Sequence, residues 1–317
     1  MLVHLFNFIA GALSLLIFPA LLKRVTGRNQ HELYEDSDAL LLNLEAPRER
    51  WFNMGWWLRS GKESFSEAAA EHCRRVAAAA GVESGSRVLE VGYGFGDSTL
   101  LLAREFFPSS YVGVTSLQAQ HEVAARRAAE AGLDTTQYRL LQGDAARLDR
   151  LKLAAESMDS ILAVDCAYHF SPRSSFLRAS HALLAPGGRL GLSDLLVPPT
   201  PLSLFDTLLL RLICALAGLP FSNLHTPAAY RAELVRAGFR ESEIEMEDVS
   251  DAVWPGFLAF VERRERELGG RGVLGSGWSG MKVYAGLVRW YSGARGGRAR
   301  FRYFLVSARK GGGNPEE

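Results

Sequence analysis

Short apolar runs alternate with amphipathic stretches through the middle of the chain. The strand-like runs are residues 88–91, 111–115, 138–142, 160–165 and 190–196. The stretches 98–107 and 119–131 between them have the apolar spacing of helices that bury one face. Strands that alternate with helices favour a parallel sheet covered on both faces. The pattern therefore predicts an α/β fold, doubly wound, with a mostly parallel sheet.

The N-terminal residues 2–22 form an apolar run without a charged residue. As a helix this run would be about 31 Å long, close to the thickness of a bilayer's hydrocarbon core. Lys23, Arg24 and Arg28 follow, which favours a membrane anchor with the rest of the chain in the cytosol. A buried helix over an apolar pocket is the main alternative. A signal peptide is disfavoured because no positive region precedes the run.

Charge and cysteine content indicate which classes of partner and cofactor the chain is expected to lack. The net charge is +1 with 22% charged residues, so no global attraction to nucleic acid is expected. Cys73, Cys166 and Cys214 are far apart in sequence and form neither a metal-ligand cluster nor a disulfide framework. We therefore predict no metal and no nucleic-acid partner, and a reducing compartment.

A glycine-rich turn follows the first strand. Gly92, Gly94 and Gly96 occupy alternate positions, and Asp97 or Ser98 is the expected cap of the next helix. A dinucleotide fingerprint would need glycine at position 97, where a carboxylate would repel a diphosphate. A nicotinamide dehydrogenase is therefore disfavoured. Glu90, at the strand end, suits a ligand that carries an ammonium and a sulfonium.

This turn resembles the Glu/Asp-x-Gly-x-Gly-x-Gly motif of the class I S-adenosylmethionine-dependent methyltransferases. The Leu184-x-Pro-Gly-Gly turn before the fifth strand is similar to theirs as well. The resemblance implies S-adenosylmethionine as cofactor and a Rossmann-like sheet of seven strands. Residues 243–249 and 301–310 would supply the sixth strand and an antiparallel seventh strand. Thr115 stands where most members have an acidic residue, a departure that resembles the cyclopropane-fatty-acid branch.

The resemblance also implies a set of cofactor-binding residues. Thr115, Ser116 and Gln120 would bind the ribose, while Asp144 and the amide of Ala145 would face the adenine. Trp57, in an aromatic segment before the first strand, would close over the sulfonium, or else simply pack in the core. The full predicted set is Glu90, Gly92, Gly94, Gly96, Thr115, Ser116, Gln120, Asp144, Ala145 and Trp57.

The exit of the fourth strand carries the catalytic candidates. Ligands of open α/β sheets lie beyond the carboxyl ends of the strands, which places residues 165–170 near the transferred methyl group. His169 is the candidate general base, because its ordinary pKa is near neutrality. A histidine bonded to local backbone is the alternative. Tyr168 would orient a hydroxyl group, and Asp165 would serve the cofactor or the proton.

Residues 198–225 form an apolar insertion interrupted by Asp206 and Arg211. Two charges argue against a second membrane span, so a helical lid over an apolar substrate is expected. Sterol and tocopherol methyltransferases, which this arrangement resembles, have their variable substrate segment here. The resemblance thus implies methyl transfer to a small lipophilic acceptor. A catalytically silent, membrane-tethered scaffold is the alternative.

The predicted organisation has four parts. These are an anchor helix at 1–28, a cofactor-covering segment at 29–83, a methyltransferase domain at 84–310 with its lid at 198–225, and a disordered tail at 311–317. The expected location is a membrane such as the endoplasmic reticulum, with the catalytic domain facing the cytosol; a cytoplasmic location is the alternative. The sequence leaves the acceptor atom and the oligomeric state open.

Overall fold

A computed structural model describes residues 42–43, 49–59, 61–268, 275–293 and 299–312. The helices are α1 (Phe65–Ala79), α2 (Asp97–Glu105), α3 (Gln118–Glu130), α4 (Arg173–Leu183), α5 (Leu204–Ala217), α6 (Pro227–Arg236), α7 (Ser250–Leu268) and α8 (Gly275–Ser292). The strands are β1 (Arg87–Val91), β2 (Ser110–Thr115), β3 (Tyr138–Gln142), β4 (Met158–Ala163), β5 (Leu184–Leu196), β6 (Ile244–Asp248) and β7 (Arg302–Arg309).

These strands form one seven-stranded sheet in the order β3-β2-β1-β4-β5-β7-β6. The first five strands pair in parallel, while β7 is antiparallel to both β5 and β6. The strand order reverses between β1 and β4, and in such sheets the crevice at the reversal is where ligands bind. The predicted seven-stranded, mostly parallel sheet is confirmed.

Neighbouring residues of β1 belong to different hydrophobic cores, because successive side chains of a strand point to opposite faces. Val88 packs with α1 and α7 in one core, whereas Leu89 and Val91 pack with α4 and α6 in the other. Burial on both faces explains why β1 is an almost continuous apolar run. Its one charged interior residue, Glu90, is fully buried.

Two local predictions differ from the structure. Helix α2 is preceded by Gly96 as its N-cap, in a left-handed conformation, rather than by Asp97 or Ser98. The Pro-Gly-Gly turn lies inside β5, which begins at Leu184. The insertion after β5 does contain the expected helix, α5, but its role as a lid stays a prediction.

The predicted anchor helix at 1–28 lies outside the described residues, as do residues 313–317 of the predicted tail. Among the residues that are described, none of the helices combines the length and the apolar character that a membrane crossing requires. The proposed domain boundaries therefore stay predictions.

His72, on α1, is fully buried, and its ring packs edge-on against Tyr303. Neither ring nitrogen has a hydrogen-bond partner among the described residues. Burial lowers the pKa of His72 to about 3, so the folded protein holds this ring neutral. An unfolded chain would protonate it below its ordinary pKa of about 6.5. Stability contributed by this residue is therefore lost as the pH falls below that value.

Replacing His72 with phenylalanine should remove this loss. When the pH falls from 7 to 5, we expect the free energy of unfolding of the wild type to decrease by about 2 kcal/mol more than that of the variant. Denaturant titrations of both proteins at the two pH values measure this difference. The buried acids Glu90 and Asp165 titrate in both proteins, so they cancel in the comparison. If the free energies of unfolding of the two proteins changed equally with pH, the expectation would be contradicted.

Candidate active site

A cavity of about 490 Å³ opens at the carboxyl ends of β1, β2 and β4. This is the size of ordinary small-molecule sites. Its walls are the glycine turn after β1, the ends of β2 and β3, the turn after β4, and the end of α5. Residues 50–53, which precede α1, also line it. The structure thus brings together segments that are up to 168 residues apart, from Arg50 to Gly218.

The glycine turn lets a ligand approach the backbone. A Cβ atom on Gly92 would lie 2.4 Å from the Sγ atom of Cys166, so this position has no room for a side chain. A Cβ atom on Gly94 would meet no protein atom within 4 Å and would occupy the cavity instead. Gly96 does not line the cavity, and its missing side chain allows α2 to pack against Ala124 on α3.

Glu90 lies in the wall beneath this turn. The Tyr111 hydroxyl donates to its Oε2 atom at 2.5 Å, and Thr99 in turn bonds the Tyr111 oxygen at 2.8 Å. The Oε1 atom is buried without a hydrogen-bond partner among the described residues. Burial raises the pKa of Glu90 to about 7, although the hydroxyls of Ser98 and Tyr111 oppose this shift. A cationic ligand group would compensate this buried carboxylate.

The predicted ribose and adenine residues also line the cavity. Thr115 and Gln120 are buried, and the Thr115 hydroxyl donates to Oε1 of Gln120 at 3.2 Å. Asp144 accepts from the amide of Ala146 at 2.8 Å and so caps the turn after β3. Ser116 and Ala145 complete this wall. The structure brings these five residues together, while their individual roles stay predictions.

Asp165 has a different environment from the one expected for a proton acceptor. It takes a left-handed conformation with φ at 54° and is buried. Its Oδ1 atom accepts from the hydroxyls of Tyr168, at 2.7 Å, and Tyr303, and its Oδ2 atom accepts from the Met54 amide at 2.6 Å. Burial raises its pKa to about 6. These contacts favour a positioning role over proton transfer.

Tyr168 and His169 lie in a short 3-10 turn after β4, and both line the cavity. The Nδ1 atom of His169 lies 3.3 Å from the carbonyl oxygen of Gly218, at the end of α5. A carbonyl only accepts, so Nδ1 carries the proton and the neutral ring has its lone pair on Nε2. Burial lowers the pKa of His169, opposed by the bond to Gly218, so the ring is neutral at pH 7.

Trp57 does not reach the cavity. Its indole packs against Phe65 and Phe260, and its Nε1 atom donates to the Met54 carbonyl oxygen at 2.9 Å. Trp51, Phe52 and Asn53 line the cavity in its place. The aromatic composition predicted that this segment lies at the cavity, and it does. Which of its residues faces the ligand depends on the path of the backbone.

Comparisons with known proteins agree with this geometry. A family model described as a methyltransferase domain matches residues 88–188. An erythromycin 3''-O-methyltransferase from Saccharopolyspora erythraea is 28% identical over 246 residues, which cover 75% of each chain. A phthiotriol/phenolphthiotriol dimycocerosates methyltransferase from Mycobacterium ulcerans is 32% identical over 180 residues, or 57% of this chain and 60% of that one.

The crystal structure of the [4+2]-cyclase SpnF has the same fold, with a TM-score of 0.66 and 24% identity over 90% of this chain and 97% of that one. The matched region starts in β1 and contains the glycine turn, Glu90 and His169. The family-model match and these relatives support assignment of the chain to the class I S-adenosylmethionine-dependent methyltransferases. The predicted family and cofactor are confirmed.

The cavity of this methyltransferase fits its cofactor in two respects. The space above Gly94 is open because no side chain fills it, and the unpartnered Glu90 oxygen suits the amino-acid end, which carries an ammonium. No group of three or more His, Cys, Asp or Glu side chains in the described part of the chain is arranged to hold a metal ion.

Cofactor affinity should depend on pH through Glu90. Below pH 7 this carboxyl is mostly protonated and neutral, and above pH 7 it is the anion that attracts the ammonium. We therefore expect the Kd for S-adenosylhomocysteine to fall about tenfold between pH 6 and pH 8, as the ionised fraction of a group with pKa about 7 rises. Calorimetric titrations at both values measure this. A Glu90→Gln variant should bind more weakly at pH 8 and lose this dependence; an equal dependence would contradict the assignment.

Proposed function

We propose that this methyltransferase methylates a hydroxyl oxygen of a small, lipophilic molecule, with His169 as the general base. The observation that carries the proposal is the state of His169, a neutral ring at the cavity wall whose Nδ1 proton points to the Gly218 carbonyl. A hydroxyl acceptor needs such a base, because its oxygen loses a proton when it is methylated.

The chain's own residues supply positioning and proton transfer. Nε2 of His169 accepts the proton of the acceptor hydroxyl. Tyr168 donates its own proton to Asp165, so its oxygen is oriented to accept from the substrate rather than to protonate it. The glycine turn and Glu90 would hold S-adenosylmethionine, which would supply a methyl group on its sulfonium; the carbon–sulfur bond would break as the oxygen–carbon bond formed. The cavity mainly aligns these atoms and excludes water.

The relatives support the substrate class. One is named for O-methylation of erythromycin, and another for phthiotriol and phenolphthiotriol dimycocerosates. Both names include methyltransferase, so the silent scaffold is not favoured. The end of α5, residues Ala217 and Gly218, lines the cavity, which supports a lid role for the insertion at 198–225.

A membrane location forms the second part of the proposal. The uncharged segment 2–22 would anchor the enzyme, with the catalytic domain facing the cytosol. Leu204 and Phe205, at the start of α5, are 73% and 70% exposed, which supports contact with an apolar phase close to the acceptor. Flotation of the full-length protein with phosphatidylcholine–phosphatidylglycerol vesicles tests this part, and protein that stays unbound would contradict it.

The reaction is tested with S-adenosylmethionine that carries a tritiated methyl group. Full-length enzyme is incubated with extracts rich in hydroxylated polyketides and lipids, and label should appear in an organic-soluble methyl ether. The same extract with its hydroxyls acetylated is the control and should give little product. Label on carbon, or only in protein or RNA, would contradict the proposed acceptor.

A further inference from the structure

The segment before α1, residues 49–57, is called the cover segment here. Its residues Trp51, Phe52 and Asn53 line the cavity. Two aspartates accept hydrogen bonds from its backbone N–H groups. Asp97 accepts from the amide of Arg50 at 3.2 Å, and Asp165 accepts from the amide of Met54 at 2.6 Å. These three cavity-lining residues therefore lie between the two contacts, while Arg50, which also lines the cavity, forms the first of them.

The two aspartates come from different walls of the cavity. Asp97 begins α2, directly after the glycine turn, and is 6% exposed. Asp165 follows β4 and is 8% exposed. Four residues of chain span at most about 14 Å, so the two contacts define the path of the cover segment across the cavity.

Each aspartate is itself fixed by other residues. Arg127 donates to both oxygens of Asp97, at 2.6 and 2.8 Å. Asp165 accepts from Tyr168 and Tyr303, and its own amide donates to the Ser193 hydroxyl at 2.9 Å. Hydrogen bonds to a charged acceptor are stronger than neutral ones, and buried ones more so. The cover segment is thus held by preorganised acceptors.

We propose that Asp97 and Asp165 are positioning residues that hold the cover segment over the bound cofactor through its backbone N–H groups. Asp165 also accepts from Tyr168, the neighbour of His169, so it links the closed cover segment to the turn that carries the base. This second part rests on the proposed function of His169, whereas the first part does not.

Three full-length variants test the proposal. Asp97→Asn and Asp165→Asn keep the size of each side chain and remove its charge. Asp159→Asn is the matched control, because Asp159 also accepts from a backbone amide and an arginine, both of Arg87, at 2.8, 3.0 and 2.7 Å. Asp159 does not line the cavity. Hydrogen exchange of residues 49–57, measured with S-adenosylhomocysteine bound, reports on the backbone N–H groups that the aspartates accept from. Stopped-flow fluorescence gives the dissociation rate of that ligand.

Loss of one hydrogen bond to a charged group corresponds to about a 10- to 100-fold change in a binding constant. We expect dissociation to accelerate by this factor in the Asp97 and Asp165 variants, with faster exchange in the cover segment, and to stay unchanged in the control. Both variants should raise the KM for S-adenosylmethionine, and Asp165→Asn should in addition lower kcat measured at saturating cofactor. If the Asp97 and Asp165 variants showed the same hydrogen exchange in the cover segment and the same S-adenosylhomocysteine dissociation rate as the wild type, the proposal would be overturned, whatever the acceptor proves to be.

An unchanged kcat in Asp165→Asn would overturn the link to His169. If that variant does not fold, Tyr168→Phe tests the link, since it removes the contact with the turn and leaves the Met54 contact in place. It should lower kcat without changing the dissociation rate of S-adenosylhomocysteine. An unaltered kcat in this variant would overturn the link equally.

Discussion

Replacing His169 with asparagine should lower kcat by about 10²- to 10⁴-fold, the usual contribution of a general base. The asparagine amide retains a donor for the Gly218 carbonyl but offers no basic nitrogen. Binding of S-adenosylhomocysteine should therefore stay close to that of the wild type. Steady-state methylation at saturating substrate, together with calorimetric binding, separates the two quantities.

His181→Asn is the control for this experiment. His181 lies on α4 and packs against Phe239, away from the cavity, so its replacement should leave kcat nearly unchanged. The pH profile gives a second measure. Because burial lowers the pKa of His169, wild-type activity should fall only as the pH drops below about 6.5, the ordinary value. The His169 variant should lack this decline. A kcat close to wild type would show that His169 is not the base.

The second large effect is expected at the glycine turn. A methyl group added at Gly94 points into the cavity, so Gly94→Ala should weaken binding of S-adenosylhomocysteine by about 5- to 150-fold, the range of a 1–3 kcal/mol overlap. The protein itself should fold, because no protein atom lies within 4 Å of the added carbon. Calorimetry measures the affinity, and thermal unfolding monitors the fold.

Gly132→Ala is a matched control for this variant. Gly132 follows α3, also has a left-handed conformation, and also has open space around its Cβ position. Both substitutions should cost about 1–2 kcal/mol of stability through the backbone. Only the Gly94 variant should lose affinity. Equal affinities in the two variants would mean that the cofactor does not lie over the glycine turn.

Local sequence patterns were sufficient to predict the main strands and helices of the sheet and most of the residues in the cavity wall. The apolar runs predicted β1 to β5, because strands buried on both faces need apolar residues at nearly every position. The turn after Glu90 predicted the cofactor, since a backbone that touches a ligand needs glycine at fixed positions. Thr115 ends β2, while Gln120 and Asp144 follow β2 and β3. The carboxyl ends of these strands meet at one edge of the sheet, so the fold alone brings the three residues to the same cavity.

The tertiary structure decided which side chains face the ligand and what each one binds. Trp57 turned away from the cavity and Trp51 faces it, a choice set by how the cover segment packs on α1 and α7. Asp165 proved to accept from Met54 and Tyr303, which are 111 and 138 residues away in sequence. A periodic pattern reports only which face of its own element is buried. Contacts between distant segments depend on the packing of the whole chain, and no local pattern records them.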